Sequence, residues 1–483
     1  MTPIPAERRS LWLEEALALP GEESCPRLQG EARADVCIVG GGYAGLWTAL
    51  RLLELDPALE VTVVEADVCG GGASGRNGGF VLSWWAKIAT LVKLLGREEA
   101  RRVGLASADS VRDIGRFCEE HAIDAGYRAD GWLWTATAPA QVGAWEATVS
   151  AAEALGESPF RRLGRMEVEE LSGSPVQHDG VFEETAASVQ PALLARGLRR
   201  VALERGVRIY ERSPMIAFER ARPPRVRTAG GIVTADTVIL ALNAWTAHFR
   251  ELRRSLVVIA SDMVATEPIP ERLADLGLTT GLCISDGRLL VNYYRRTSDG
   301  RIAWGKGGGD LAFAGRVGNR FDGSSPRAAA VAADLRRIYP QLRDTRFTHS
   351  WTGPIDRTPT ALPYVGRLGG RDDLYYVYGF SGNGVGPSHL TARIVASRVL
   401  RRDDEWAAIR LPERPSGLFP RSRVGAFPPE PFSYVGGRVV RAAVVRKEAA
   451  EDAGRPPGRI VQRLAALAPA GLTPTHVRKT TIR

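Results

Sequence analysis

Cysteine is scarce in this chain: five residues in 483, at Cys25, Cys37, Cys69, Cys118 and Cys283, odd in number, widely spaced and without a CxxC pair. That pattern excludes a disulfide framework and a zinc ribbon, and it fits a reducing compartment. Long apolar runs are missing too, since none approaches the ~18 residues of a membrane span. The opening MTPIPAERRSLWLEEALALPGEE holds no apolar core followed by a small-residue cleavage site, so the expected location is the cytoplasm. Lysine is rare, with Lys87, Lys93, Lys306, Lys447 and Lys479 making five of 64 basic residues. The net charge of +9 is carried by scattered arginines rather than by a basic block, which points away from nucleic acid as a partner. The six histidines form no pattern with Asp, Ser or Cys, so neither a catalytic triad nor a metal site is expected.

What is abundant is glycine, 52 residues on a background that is 44% apolar and 25% charged, as in a globular enzyme of two or more domains. Three clusters stand out. Gly40, Gly42 and Gly45 make GxGxxG directly after the apolar DVCIV and before the helical LWTALRLLEL. Glu65 closes a second strand, VTVVE, 20 residues beyond Gly45. Gly40 permits a tight turn, Gly42 lets backbone approach a pyrophosphate, and Gly45 lets the helix pack closely on the strand with its N-terminus facing negative charge. Tyr43, Ala44 and Ala66 fall in the same turns, and Glu65 is placed to accept ribose hydroxyls. By itself this motif serves NAD or FAD.

The second cluster, GGGASGRNGG, follows at once and contains Gly72, Ala73, Ser74, Arg76, Asn77, Gly78 and Gly79. Ser74, Arg76 and Asn77 offer a hydroxyl, a cation and an amide for a pyrophosphate, a ribityl chain and a ring edge. NAD leaves this loop without a task, whereas FAD is long enough to run past it. The third cluster places Gly382, Asn383, Gly384 and Val385 before a helix with Pro387 at a first helical position. That helix N-terminus suits the side of a flavin where negative charge develops on reduction, and a plain helix cap is the alternative.

The ordered set VGGGYAGL, VVEAD, GGASGRNGG, VILALNAW, RTPTALPYVG and YGFSGNGVGPS resembles the D-amino-acid oxidase family of FAD-dependent oxidoreductases, especially the branch of glycine oxidase, sarcosine oxidase and gamma-glutamylputrescine oxidase. The resemblance spans residues 34–400. It implies α/β plus α+β architecture: a Rossmann-like FAD-binding domain from 34–86, 185–247 and 345–400, interrupted by an antiparallel-sheet substrate domain from 87–184 and 248–344. Residues 1–33 are then an N-terminal arm, and 401–483 a Pro/Arg-rich extension with short helices. By the same resemblance Met215 lies beside adenine and Asn243 approaches the cofactor. Sarcosine oxidases attach FAD through a cysteine near the start of the segment that here reads HSWTGPIDRTP, where Ser350 and Trp351 stand instead. Non-covalent FAD is therefore expected.

The reaction implied is oxidation of the C–N bond of a small amine or amino acid, by hydride transfer to flavin N5, with the imine hydrolysed and oxygen reduced to hydrogen peroxide. A dehydrogenase passing electrons to a quinone or carrier is the alternative, and a basic flavoprotein acting on RNA or as a non-catalytic partner is a more distant one. On the strand RLLVNYYRRT, alternation puts Tyr293 and Arg295 on one face and Tyr294 on the other. Arg295 suits a substrate carboxylate, a tyrosine can fix the amine, and Trp351 and Phe380 can wall the site. Lys306, conspicuous in a chain built on arginine, is the candidate for stabilising superoxide. The oligomeric state stays open.

Overall fold

The computed structural model describes residues 8–20, 24–318, 320–413 and 426–469. A short helix α1 (Leu11–Leu17) precedes β1 (Gly30–Val39), α2 (Tyr43–Leu55) and β2 (Val61–Val64). A first insertion carries α3 (Arg97–Glu120) and the strands β3 (Trp132–Thr135), β4 (Phe160–Leu163) and β5 (Gly180–Glu183). The chain returns through α4 (Pro191–Glu204), β6 (Arg208–Tyr210) and β7 (Gly231–Leu240). A second insertion holds β8 (Val257–Thr266), β9 (Cys283–Asp286), β10 (Asn292–Arg296), β11 (Ile302–Lys306), α5 (Ala328–Ile338) and β12 (Phe347–Arg357). After β13 (Tyr364–Arg367), β14 (Leu374–Tyr378) and α6 (Val385–Val399), the extension adds α7 (Phe432–Asp452) and α8 (Arg459–Ala465).

Two eight-stranded sheets result. The first runs β13-β14-β7-β1-β2-β6, completed by the short strands Ala217–Glu219 and Arg225–Arg227. Apart from the β13–β14 hairpin, every pairing along that order is parallel. Val36–Val39 and Val61–Val64 are buried without alternation, as strands covered on both faces must be. Val39 pairs with Val64 on one side and with Leu240 on the other, so three strands end level and deliver three loops to one edge. The Rossmann-like half is thus in place, and its C-terminal edge is where such sheets bind ligands.

The second sheet runs β12-β8-β11-β10-β9-β3-β5-β4. It is antiparallel throughout except where the two insertions meet, β9 lying parallel to β3. Phe347–Arg357 falls within the span 345–400 expected in the cofactor unit, yet it hydrogen-bonds along its length to β8. The ladder from Val257↔Arg357 to Thr266↔Phe347 outweighs sequence proximity to β13. Only the end of this strand, at Asp356 and Arg357, returns to the first sheet's edge.

One further boundary differs from expectation. β1 starts at Gly30, four residues before the expected domain boundary, because its exposed first residues still pair with β7 from Gly231 onward. The arm is packed rather than free: Trp12 is 1% exposed and its Nε1 donates to Asn77 O at 2.9 Å. In the extension, the expected short helices are α7 and α8, while residues 414–425 and 470–483 lie outside the described set. No described helix is long and apolar enough to cross a membrane.

Glu183, at the end of β5, is fully buried and accepts the Ser83 hydroxyl, while its Oε2 meets no donor among the described residues. Burial pushes its carboxyl up to about 7 against the lowering effect of Ser83. A folded-state value above the unfolded one favours the protonated native form, so this stability is present at low pH and is lost as pH rises through about 7. Glu183→Gln should therefore match the parent in urea unfolding at pH 5 and exceed it at pH 8 by on the order of 2–3 kcal/mol. Equal midpoint differences at both pH values would show that Glu183 titrates normally.

Candidate functional site

A cavity of about 1070 Å³ opens where the level ends of β1, β2 and β7 face the second sheet. It is large enough for a dinucleotide with a small molecule beside it. Gly40, Gly42, Tyr43 and Ala44 line it at the start of α2. Gly40 has φ +117°, and a Cβ there would lie 2.4 Å from Ala241 O. Gly45 does not line the cavity; a Cβ on it would lie 2.0 Å from Gly40 O, so its role is the close approach of helix to strand.

Glu65 and Ala66 line the next turn. Glu65 Oε2 accepts the Gly41 N–H at 2.7 Å and Oε1 accepts the Asp67 N–H at 2.8 Å, fastening the two turns together. Burial raises this carboxyl to about 7, opposed by those two backbone hydrogen bonds. The second glycine loop is joined to the first by Ser74, whose Oγ accepts the Tyr43 N–H at 2.9 Å. A Cβ at Gly42 would sit 2.9 Å from that Oγ, so α2 opens on a bare backbone face. Such a face, with helix amides behind it, suits an anionic linker such as pyrophosphate.

Gly72, Ala73, Ser74, Arg76, Asn77 and Gly78 border the cavity, and Gly79 does not. Two side chains here work differently from expectation. Arg76 donates to the carbonyls of Gly71 (3.2 Å), Thr352 (3.0 Å) and Arg8 (3.0 Å). Its guanidinium, lowered to about 10 by burial, ties the loop to β12 and the arm rather than offering a cation to a phosphate. Asn77 donates to Ala73 O and Ser74 O and accepts the Gly79 N–H, so its amide is satisfied within the loop.

Met215 lines the wall beside β6, and Asn243 lines the end of β7 with φ +47°. On the far side, Gly382, Asn383, Gly384 and Val385 line the cavity at the start of α6. The helix begins at Val385, which makes Pro387 its third residue rather than its first. Asp356 accepts the N–H groups of Gly379 and Ser381, and burial raises it to about 6.

Of the residues expected to meet substrate, Tyr293 and Phe380 line the cavity. Tyr293 Oη is 2.8 Å from Ser261 Oγ, and burial raises the phenol to about 12. Glycine makes room for its ring on two sides: a Cβ would lie 2.1 Å from the ring at Gly305 and 2.9 Å at Gly78. Tyr294 points the other way, stacked on Trp304 at 4.0 Å and bonded to Gln177 and Tyr339, and is core. Arg295 shares Tyr293's side of the strand but lies beyond the cavity. It donates to Gly78 O (2.8 Å), Val189 O (2.6 Å) and Arg296 O (3.1 Å) and covers the Trp12 ring at 5.1 Å. Trp351 is fully buried under the loop, donating to Arg76 O at 2.9 Å. Lys306 turns away to Asp334 Oδ2 (2.6 Å) and Asn292 Oδ1 (3.3 Å).

Sequence reasoning missed several cations of the cavity lining, among them Lys87 and Arg357. Burial lowers Lys87 to about 7, with Arg357 pushing in the same direction, and lowers Arg357 to about 10. The one available signal for Lys87 was its type, rare in this chain. It also missed the extension, which contributes Val440 and Val444 of α7 to the outer wall.

Residues 35–398 match a family described as FAD dependent oxidoreductase. The gamma-glutamylputrescine oxidoreductase of Escherichia coli K12 is 32% identical over 394 residues, covering 80% of this chain and 88% of that protein. The probable oxidoreductase OrdL of Haemophilus influenzae is 28% identical over 393 residues, covering 80% of this chain and 86% of its own. Among solved structures, glycine oxidase from Geobacillus kaustophilus superposes with a TM-score of 0.64 at 22% identity, over 80% of this chain and 100% of that one.

Because Arg295 holds carbonyls and not a cavity ligand, Arg295→Met should lower unfolding stability by about 3 kcal/mol, the scale of losing charge-assisted bonds to buried acceptors. Urea denaturation checks this; an unchanged midpoint would return Arg295 to a binding role.

Proposed function

Because the chain belongs to the FAD-dependent oxidoreductase family, we propose that it oxidises the C–N bond of a primary or secondary amine, with non-covalently held FAD as cofactor and oxygen as electron acceptor. The observation that carries this reading is one cavity lined both by three glycine turns on a parallel-sheet edge and by Tyr293, Lys87 and Arg357. The Gly40–Gly42 turn and the amides opening α2 would hold the pyrophosphate, Glu65 the ribose hydroxyls, and the wall at Met215 the adenine. None of the five cysteines lines the cavity, and His349 lies against Glu14 and Thr348, which supports non-covalent binding. All five cysteines are free and buried, in keeping with a cytoplasmic setting.

Bound FAD would supply an acceptor for a hydride from the carbon next to the nitrogen and a route for both electrons to oxygen as hydrogen peroxide. The chain's part is to present a neutral amine. Lys87 and Arg357 disfavour an ammonium beside them, and a lysine near its own midpoint at neutral pH can take the proton released. Tyr293, fixed by Ser261 and its two glycine neighbours, gives a rigid face against which a substrate is positioned. The apolar wall excludes water until the imine leaves to be hydrolysed. The carboxylate preference expected from Arg295 has no support, because that side chain does not reach the cavity. The relative named for gamma-glutamylputrescine supports an amine substrate.

The test is anaerobic mixing of the yellow protein with a panel of amines, followed by readmission of air. Bleaching by an amine, with one peroxide formed per amine consumed, is expected; bleaching without peroxide would indicate transfer to a quinone or carrier instead. A colourless protein that cannot be reconstituted with FAD would defeat the reading.

Glu65→Gln should weaken FAD binding by about 1.5–3 kcal/mol, since a charged acceptor of ribose hydroxyls becomes neutral. Donors that favour the ionised form lower its raised value, so FAD binding should release a proton near pH 7 in the parent and not in the variant. Calorimetric titration in two buffers of different ionisation enthalpy reads both effects; identical proton release would remove Glu65 from the ribose.

A further inference from the structure

The matched family region ends at residue 398, so α7 and α8 are additions to the shared fold. α7 is nonetheless part of the cavity. Ser433, Gly436, Gly437, Val440, Arg441 and Val444 all line it, a spacing of i, i+3, i+4, i+7, i+8 and i+11 that is one continuous stripe of a helix. Val435, Val439 and Val445, off that stripe, are exposed.

The helix is fastened over the second sheet by polar groups taken out of water. Arg441 Nε donates to Gly308 O at 2.7 Å, and Glu448 Oε1 accepts the Leu290 N–H at 3.0 Å. Arg288, buried, bridges Asp286 (3.0 Å) and Asp452 (Nη1–Oδ2 2.9 Å). Gly437 lets the helix close on the sheet, since a Cβ there would meet Leu311 Cδ2 at 2.5 Å. Beyond α8, Pro469 O accepts from Arg357 Nη2 at 3.3 Å, linking the added segment to a cation of the chamber. Between these anchors the surface facing the cavity is apolar: Val440 and Val444 from α7 packed with Leu289 and Leu290, and Leu311 beside Gly437.

We propose that α7 is the specificity-determining wall of this enzyme, selecting amines whose uncharged apolar chain extends from the nitrogen to Val440 and Val444. This rests on the amine-oxidising reading above. The anchors make the wall part of the resting structure rather than a hinge: Asp452 and Glu448 hold Arg288 and Leu290 in the loop before the strand carrying Tyr293, and Arg441 holds Gly308 in the loop after β11, that strand's neighbour. A substrate held at Tyr293 therefore meets α7 at its distal end. A cationic tail there would lose water and meet the like charge of Arg441, whereas each methylene buried against the wall favours binding by about fourfold.

The experiment is the rate of anaerobic flavin reduction across straight-chain primary amines of increasing length, in the parent, Val440→Trp and Val440→Ala proteins, with FAD content measured from the absorption spectrum. In the parent, kcat/KM should climb by about fourfold per methylene until the chain fills the wall. Val440→Trp should lower the long-to-short ratio of kcat/KM at least tenfold, and Val440→Ala should move the optimum to longer chains. Val444→Ala, which only removes atoms, gives the same reading if the tryptophan is not accommodated. Amines that reduce all the proteins with one unchanged length profile would overturn the wall and leave the oxidase standing. Failure of every amine to reduce the FAD-loaded parent would overturn both.

Discussion

The closeness with which α2 starts against the end of β1 governs everything at the cavity. A Cβ on Gly45 would lie 2.0 Å from Gly40 O, and one on Gly40 would lie 2.4 Å from Ala241 O. Strand, helix and the loop after β7 therefore touch through backbone alone. With no side chains between them, the amides at the helix start face open space. Ser74 and Glu65 can then reach across from the neighbouring loops and fix the turn by its N–H groups. Enlarging either glycine would push the helix out and separate the three loops together.

The glycine turns could be read from the amino-acid sequence because what they require is a property of backbone, independent of what packs around them. The wall beside them could be read only in part: Tyr293 and Phe380 line the cavity, and the other candidates do not. Alternation placed Arg295 on the correct side of its strand, but two residues along a strand is ~6–7 Å, and at that distance the neighbour is the Gly78 carbonyl and not the cavity. Lys306 was singled out for its rarity, the same property that belongs to Lys87. Only the packing of α5, which brings Asp334 to Lys306, tells the two apart. Arg76 and Asn77 were recognised as cavity residues, while their bonds to carbonyls of Thr352, Arg8 and Ala73 depend on contacts distant in sequence or internal to the loop. The placement of Phe347–Arg357 was hidden for the same reason: a strand's partner is chosen by the register of the whole ladder.

Burial acts on the cavity's ionisable groups in opposite directions with a common result. It raises Glu65 to about 7 and Asp356 to about 6, and lowers Lys87 to about 7. Near neutral pH these groups can change charge for little free energy, which is the condition for a site that handles protons without a dedicated triad. Among the described histidines only His248 lines the cavity, where burial lowers its imidazole, so titration near neutrality falls to displaced acids and a displaced lysine.

The parallel pairing of β3 with β9 joins Trp132 to Cys283, so the second sheet is assembled from two stretches separated by the return of the chain through the first. During synthesis the earlier half must wait. Until Cys283–Asp286 leaves the ribosome, the edge formed by Trp132–Thr135 has no neighbour on that side, and its sequence is Trp-Leu-Trp-Thr. An unpaired edge of that composition invites pairing with other nascent chains. The yield of soluble protein should thus depend on translation speed between these two segments, and on chaperones that shield one apolar edge, more than on the stability of the finished fold.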